Sequence, residues 1–431
     1  MKLNKKLFGG LLLSGALVLG ACGTDGKESQ GGDSDEPIEV TMWHAMNGPH
    51  QESLTELTDE FNASQDKYKV IEENQGDYNS LNQSIIAAGT SKTLPTMSQL
   101  TPGDVPNLAK DGLLVSLEDS LISEDGFTEE ELDDIYEGFL HSSIYQDEIY
   151  AMPFSKSTRV MYYNQDLLDK YDVEVPTTWD EVLELGEKMV EANDDAVAMG
   201  FENSYEMEFE TLARQNDAPF ITTDLEVGID TPESIEALEL IMDMIDDGYA
   251  RTAGEDGYFS GPFARGESAL YIGSSAGLPH VEPVAEENGI EWSTAELPTY
   301  NEEELTLFVG NDLGVFSSAS EEEKEGAIAF MAFLLKPENT AKWAINTGYV
   351  PVTESGINTE EYQEFLEENP RAVAATLELE YGISSPTFVG YAEYRNKLLD
   401  VLEEVLINDL DVKEGLKQIN DEAVELIEKS N

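Results

Sequence analysis

From Ile38 onward the chain alternates short apolar runs with helical stretches, and this alternation limits the folds open to it more than any other feature. IEVTMWHAM reads as a strand and LTELTDEFNAS as a helix. YKVIEEN and YNSLNQSIIAAGTS repeat the pair, TMSQL is a further short strand, and VPNLAKDGLLVSL is partly helical. Strand–helix alternation of this kind calls for α/β layers around a largely parallel sheet.

The middle and end of the chain carry local start and stop signals. PTTWDEVLELGEKMVEAN sets Thr178 and Glu181 at capping-box spacing ahead of apolar residues at helical intervals. TPESIEALELIMDMIDDG has Thr231 as a cap, Pro232 at the first helical position and Gly248 just past the end. SEEEKEGAIAFMAFLLKPEN opens on Ser320 and Glu323, again a capping box, and stops before Pro337. KLLDVLEEVLINDLDVKEGLKQINDEAVELIEK reads as two amphipathic helices. ESALYIGSSAG is a strand running into a small-residue turn, and LTLFVGNDLGVF is another strand region. The order of elements predicts two α/β lobes. Extended stretches near 152–160, 306–312 and 348–353 are the candidate crossings between them.

The first 37 residues have a different character. Lys2, Lys5 and Lys6 precede an apolar, glycine-rich run from Leu7 to Leu19, the layout of a secretory signal peptide. That run is too short to span a bilayer, which takes roughly 20 apolar residues. It ends Leu19-Gly20-Ala21-Cys22, which resembles the lipobox of bacterial lipoproteins and implies a lipid on the Cys22 sulfur with cleavage before it. Cys22 is the only cysteine among 431 residues, so no internal disulfide holds the fold. GTDGKESQGGDSDEP lacks apolar residues and reads as a flexible tether. The expected organisation is a signal peptide over 1–21, a lipidated tether over 22–37, one lobe from 38–153 with 310–350, and a second from 154–309 with 351–431.

Charge narrows the partners. The chain holds 24 basic residues against 89 acidic ones, a net of −65, and 40% hydrophobic residues, enough for real cores. Removing residues 1–21 takes away three lysines and no acids, which lowers the net to −68. Nucleic acid and anionic membrane surfaces are repelled at any distance salt does not screen. No D-x-[DN]-x-[DN]-G calcium loop is present. The acids read as a solvated face adapted to a saline medium.

Catalytic signatures are missing. The four histidines form no H-E-x-x-H, and neither G-x-S-x-G nor G-x-x-x-x-G-K-[ST] occurs. Chance carboxylate pairs are inevitable among 89 acids and identify nothing. Several smaller clusters stand out. Trp43 and His44 end the first strand, where α/β sheets hold ligands, though Trp43 reads equally as core. Tyr78 opens a helix, with its hydroxyl aimed at a cleft or sealing the helix. PFSKST offers Ser155, Ser157 and Thr158, and IGSSAG offers Ser274 and Ser275. Hydroxyls and free N–H groups at such turns suit phosphate or sugar oxygens, and they serve equally as turn chemistry. Arg395, one of six arginines, is flanked by Tyr391 and Tyr394; a surface salt bridge is its default role.

At these residues the chain resembles the extracellular solute-binding proteins of ATP-binding-cassette importers. The resemblance covers nearly everything after the tether and rests on MWHAM, GDYNSLNQSIIAAGTSKTLPTMSQL, PFSKSTRVMYYNQDLL, PTTWDEV, GESALYIGSSAG and KPENTAKWAINTGYVPVT. It implies an α/β, two-lobed periplasmic-binding-protein fold with a hinged cleft. It implies no enzymatic activity and no cofactor or metal. It also implies a monomer on the outer face of the membrane that delivers a small molecule to permease subunits. The YNS helix start, GSSAG and the late arginine are similar to members that take glycerol phosphates. By position, the ligand contacts of those members fall on Tyr78, Ser157, Ser274, Tyr349 and Arg395. Ser157, Ser274 and Tyr349 would then hold phosphate oxygens, with the planar Arg395 fork as charge partner, and Trp43 and Tyr78 would line the glycerol end. A glycine contact falls near Gly310 or Asn311. The glutamate that holds glycerol hydroxyls in those members is replaced by Pro102, with Asp104 nearby, and Arg159 stands where no charge is expected. These departures keep a glycerophosphodiester or an oligosaccharide in view as ligand. A surface hydrolase is the alternative from another class, and it predicts turnover; a structural adhesin predicts no small-molecule cleft.

Overall fold

The computed structural model describes residues 36–430. The signal peptide, Cys22 and nearly all of the tether lie outside them. Among the described residues no helix is long and apolar enough to cross a membrane.

The strand–helix alternation builds one ten-stranded mixed sheet. Its main path runs through strands 250–252, 197–201, 268–274, 151–164, 306–315, 97–100, 38–44 and 68–74. Ile38–His44 pairs in parallel with Tyr68–Asn74 and with Met97–Leu100. At the far end, Val197–Phe201 pairs in parallel with Ala250–Thr252 and Ser268–Ser274. Two long strands, Ala151–Asn164 and Thr306–Val315, run antiparallel side by side and join these two halves. Both were expected to be crossings, and both are. Their ladder is interrupted at one point, between Asn311 and Asp312. The two halves are two α/β lobes.

The local signals act where they were read. Thr178–Glu181 and Ser320–Glu323 each form a full capping box, with hydroxyl and carboxylate satisfying N–H groups the first helical turn leaves free. Thr231 caps Pro232–Asp246, and Gly248 follows with φ +76°. Tyr391–Asn408 and Val412–Ser430 close the chain; the first of them begins six residues before the expected KLLDV run.

Near 350 the chain stays with the first half longer than its sequence suggests. Lys156 and Val350 form an isolated bridge. Helices Glu354–Ile357 and Glu360–Glu368 then pack against Pro337–Thr347, and only Pro370–Leu377 reaches strand Trp292–Ala295 in the second half. Two glycines make the passages sterically possible. Gly310 sits at φ +123°, and a Cβ there would lie 1.8 Å from the Ser155 carbonyl oxygen. Gly348 sits at φ +75°, and a Cβ there would lie 2.6 Å from the Ser275 carbonyl oxygen.

Apolar side chains fill both faces. One core cluster gathers Val40, Met42, Phe61 and Trp343 with Tyr162, Phe263 and Trp292; another gathers Met161, Trp179, Phe209, Tyr394 and Leu402. Alternation along Ala151–Asn164 sends Ser155, Ser157, Arg159 and Met161 to one face and Lys156, Thr158, Val160 and Tyr162 to the other.

Candidate functional site

The face carrying Ser155, Ser157 and Arg159 collects most of the residues singled out from the sequence. Asp77 caps helix Tyr78–Ser91 by accepting from the Ser80 N–H at 2.7 Å, and so sets Tyr78 in the first turn. The Tyr78 hydroxyl accepts from Asn311 Nδ2 at 2.9 Å and neighbours the hydroxyl of Tyr349. Tyr349 is buried, stacked on Trp343 with centroids 5.8 Å apart, and burial raises its hydroxyl well above the usual range. Helix 78–91, the second crossing strand opposite the Phe154 bulge and the turn after Pro337–Thr347 therefore meet at three polar side chains.

Next to them, Ser157 Oγ and Ser274 Oγ lie 2.9 Å apart. Ser274 also caps the turn after its strand by accepting from the Ala276 N–H at 3.2 Å. Ser155 faces Asn311 across the ladder. Ser155 Oγ, Ser275 Oγ and Asn311 Oδ1 are all buried with no hydrogen-bond partner in the protein. Buried polar atoms are nearly always partnered, because leaving one bare costs about 1–3 kcal/mol. Ser155 and Asn311 oppose each other across the ladder and Ser275 follows Ser274, so the three bare atoms lie on the segments that carry the serine pair. Ser155 and Ser275 thus stand beside the pair with bare hydroxyls; alternate spacing with Ser157 is the sequence signal for the first.

The structure does not gather every expected contact in the same way. Arg395 donates from Nη2 to Glu206, a buried acid in helix Glu206–Gln215. Its fork is therefore partly engaged, although its side chain is 41% exposed. Trp43 is neither core nor free: its Nε1 donates to Glu73 Oε2 at 2.8 Å. His44 is a core residue with no cleft role. Its Nδ1 accepts from the Met46 N–H at 3.2 Å, and burial lowers its pKa to about 4. Pro102 opens a 3-10 turn whose box is closed by Thr101 and Asp104, and Asn82 donates to Asp104 as well. Asp104 is thus committed to its own turn, and burial raises its pKa.

Sequence reasoning missed the charged layer under this face. Arg159 is buried, with Nη2 donating to Glu208 and to the Ile272 carbonyl and Nη1 3.8 Å from Glu202. On the opposite face, Lys156 Nζ lies 2.6 Å from Asp312 Oδ1 and donates to Ser142 Oγ at 2.9 Å. Lys156 alternates with the serines and Arg159 continues their face, but the partners of both come from distant segments that no local spacing reveals.

Contacts also join the lobes around the cleft. Asn107 Oδ1 accepts from the Gly390 N–H at 3.0 Å, and Tyr391 packs so closely on Gly103 that a Cβ there would lie 2.6 Å from its ring. His50 and His280 meet edge to face with centroids 5.2 Å apart. Among the described residues there is no group of three or more metal-ligating side chains.

Two lobes threaded by paired strands, with a buried polar cleft on one face, define a solute-binding protein. A sequence profile described as bacterial extracellular solute-binding protein matches residues 56–370, and the chain belongs to that family. The sn-glycerol-3-phosphate-binding periplasmic protein UgpB of Rhizobium meliloti (strain 1021) is 29% identical over 409 residues, covering 90% of this chain and 92% of the relative. The UgpB of Escherichia coli (strain K12) is 24% identical over 363 residues, covering 81% and 82%. Among solved structures, UgpB from Mycobacterium tuberculosis in complex with glycerophosphocholine superposes with a TM-score of 0.81 at 23% identity, covering 91% of this chain and 98% of the other. The cyclic alpha-maltosyl-1,6-maltose binding protein from Arthrobacter globiformis superposes with a TM-score of 0.78 at 24% identity, covering 91% and 100%.

Proposed function

We propose that this protein captures glycerol-3-phosphate or a glycerophosphodiester in the cleft and hands it to the permease of an ATP-binding-cassette importer. The observation that carries the reading is the Ser157–Ser274 hydroxyl pair with the unpartnered Ser155, Ser275 and Asn311 atoms on the same segments; Arg395, 41% exposed, is the cation this reading brings to it. The names of the relatives over most of their length agree with it. In this reading Ser157, Ser274 and Tyr349 hold phosphate oxygens, and Arg395 turns its fork from Glu206 to the anion. Tyr78, Asn311 and Trp43 line the remainder.

Closure follows from where these groups sit. Tyr78 belongs to one lobe, Ser274 and Arg395 to the other, and Asn311 to a strand between them, so only the closed state satisfies a ligand from both sides. The ligand shifts a hinge equilibrium by that difference in contacts. The hinge falls at the 155–156 and 310–311 rows, and the lobe boundaries near 153 and 310 follow from it. Capture and release need no bond chemistry, in keeping with the absence of catalytic motifs. Cys22, lipidated and tethered, keeps the body at the outer membrane face, monomeric and without cofactor.

The test is a thermal-melt screen of the body lacking the first 22 residues, in high salt, with glycerol-3-phosphate, glycerophosphocholine, inorganic phosphate and maltose-type oligosaccharides. A ligand at 100 times its dissociation constant stabilises by about 2.7 kcal/mol. The expected result is a shift with a glycerol phosphate, larger than with phosphate alone and lost in Arg395→Ala. A shift with oligosaccharides only would overturn the ligand and favour the second reading, which the maltose-type structural neighbour supports. Cys22→Ser should move the full-length protein out of the membrane fraction; continued lipid labelling would refute the anchor.

A further inference from the structure

The layer beneath the serine pair holds more acid than base. Helix Glu206–Gln215 contributes Glu206, Glu208 and Glu210, all buried, and Glu202 precedes it. The facing bases are Arg159 from the first crossing strand, Arg214 from the same helix and Arg395 from helix Tyr391–Asn408. Arg214 pairs with Glu210 at 2.8 Å, and Arg395 pairs with Glu206. Arg159 is left to serve two carboxylates, Glu208 directly and Glu202 at 3.8 Å. Tyr271 adds one neutral donor, its hydroxyl to Glu202 Oε1 at 2.6 Å. One carboxylate is in excess, and a buried charge without a counterion is expensive enough that such groups neutralise instead.

Glu208 is where the excess falls. Its side chain is 1% exposed, and Oε2 has no partner in the protein. Burial, aided by neighbouring Glu202, pushes it up to about 7 against the pull of Arg159. Arg159 also borders the cleft. It follows Ser157 by two residues on the same face and stands opposite Ser274 in the antiparallel register. An anion resting on Ser157 and Ser274 therefore shares a face with Arg159, whose guanidinium is held by Glu208 and the Ile272 carbonyl.

We propose that Arg159 is a second countercharge for the bound anion and that Glu208 takes up a proton from solvent as the anion arrives. The inference rests on the reading of the cleft as an anion site. The anion draws on the charge that Glu208 shares with Glu202. Glu206 and Glu208 each hold a bare oxygen, but Glu206 has Arg395 to itself whereas Glu208 shares Arg159 with Glu202, so Glu208 accepts the proton. The proton comes from buffer, lands on the Glu208 carboxylate, and no bond in the ligand changes. Glu208 is thus a positioning residue, acting through Arg159.

Two measurements test this. The first needs no ligand. A carboxyl whose pKa is raised in the folded state stabilises that state below its unfolded value and loses the contribution as pH rises through the folded value. Melting temperature of the wild type should therefore fall relative to Glu208→Gln between the ordinary glutamate range and about 7, the value burial gives Glu208. A constant difference across that window overturns the proposal.

The second is titration calorimetry with glycerol-3-phosphate at about pH 8 in buffers of different ionisation enthalpy. The expected result is uptake of about one proton per ligand at most, abolished in Glu208→Gln and retained in Glu206→Gln. Wild-type heats independent of buffer overturn the coupling, whatever the variants do. Loss of uptake in Glu206→Gln alone overturns the assignment to Glu208. Failure of any anion to bind, with the ligand-free slope intact, refutes the anion site and with it the coupling. A flat slope with binding intact refutes the coupling alone.

Discussion

Lys156 and Asp312 show how one residue pair governs the region where the lobes join. Their side chains are 3% and 0% exposed, and Ser142 bridges them by accepting from the lysine and donating to the aspartate at 3.1 Å. Removing one partner leaves a bare buried charge, which costs about 3–5 kcal/mol, whereas replacing both with apolar groups is often neutral. Lys156→Met should accordingly lower stability by that order in a denaturant melt, and Lys156→Met with Asp312→Leu should recover most of it. A single variant as stable as wild type would show that the pair is not the buried unit described. Residues of this kind were not legible in the sequence. PFSKST announced serines and left Lys156 unremarked, and Arg159 stood out only as an unexpected charge, because their partners Asp312 and Glu208 come from far along the chain.

Helices, by contrast, declared themselves. A capping box involves four consecutive residues, so Thr178–Glu181 and Ser320–Glu323 carry their whole meaning locally. Thr178→Ala should cost about 1 kcal/mol by removing the acceptor for the Glu181 N–H, measurable as a shift in denaturation midpoint with unchanged slope. No measurable change would mean that the tertiary contacts of Trp179 hold the helix start unaided. The strand regions were equally plain from their apolar runs. What the pattern did not disclose was the length of the passage after Val350, since short helices 354–357 and 360–368 belong to their neighbours through packing and not through any signal of their own.

At the scale of the whole molecule, the two-lobed plan was legible and so was the charge problem it must solve. A net of −65 repels itself most strongly when ions are scarce. The ion pairs Lys67–Asp125 and Lys417–Asp421 are exposed and offset little of it. The melting temperature of the body should rise steadily with sodium chloride from low to molar concentration, and a flat or falling response would contradict the saline adaptation. In the proposed reading an anion still reaches Arg395, because the surface acids are screened beyond roughly 10 Å at ordinary ionic strength.

The pairing of Met97–Leu100 with Asp312–Val315 has a consequence for the order in which the protein is made. The two strands are separated by about 200 residues, so the first lobe cannot complete its sheet until most of the chain has been synthesised. Contacts so distant in sequence slow folding, because loop closure precedes any reward. A chain of this design gains the strand that completes its first lobe only late, so that lobe is held by its early pairs, 38–44 with 68–74 and 97–100, until Asp312–Val315 exists.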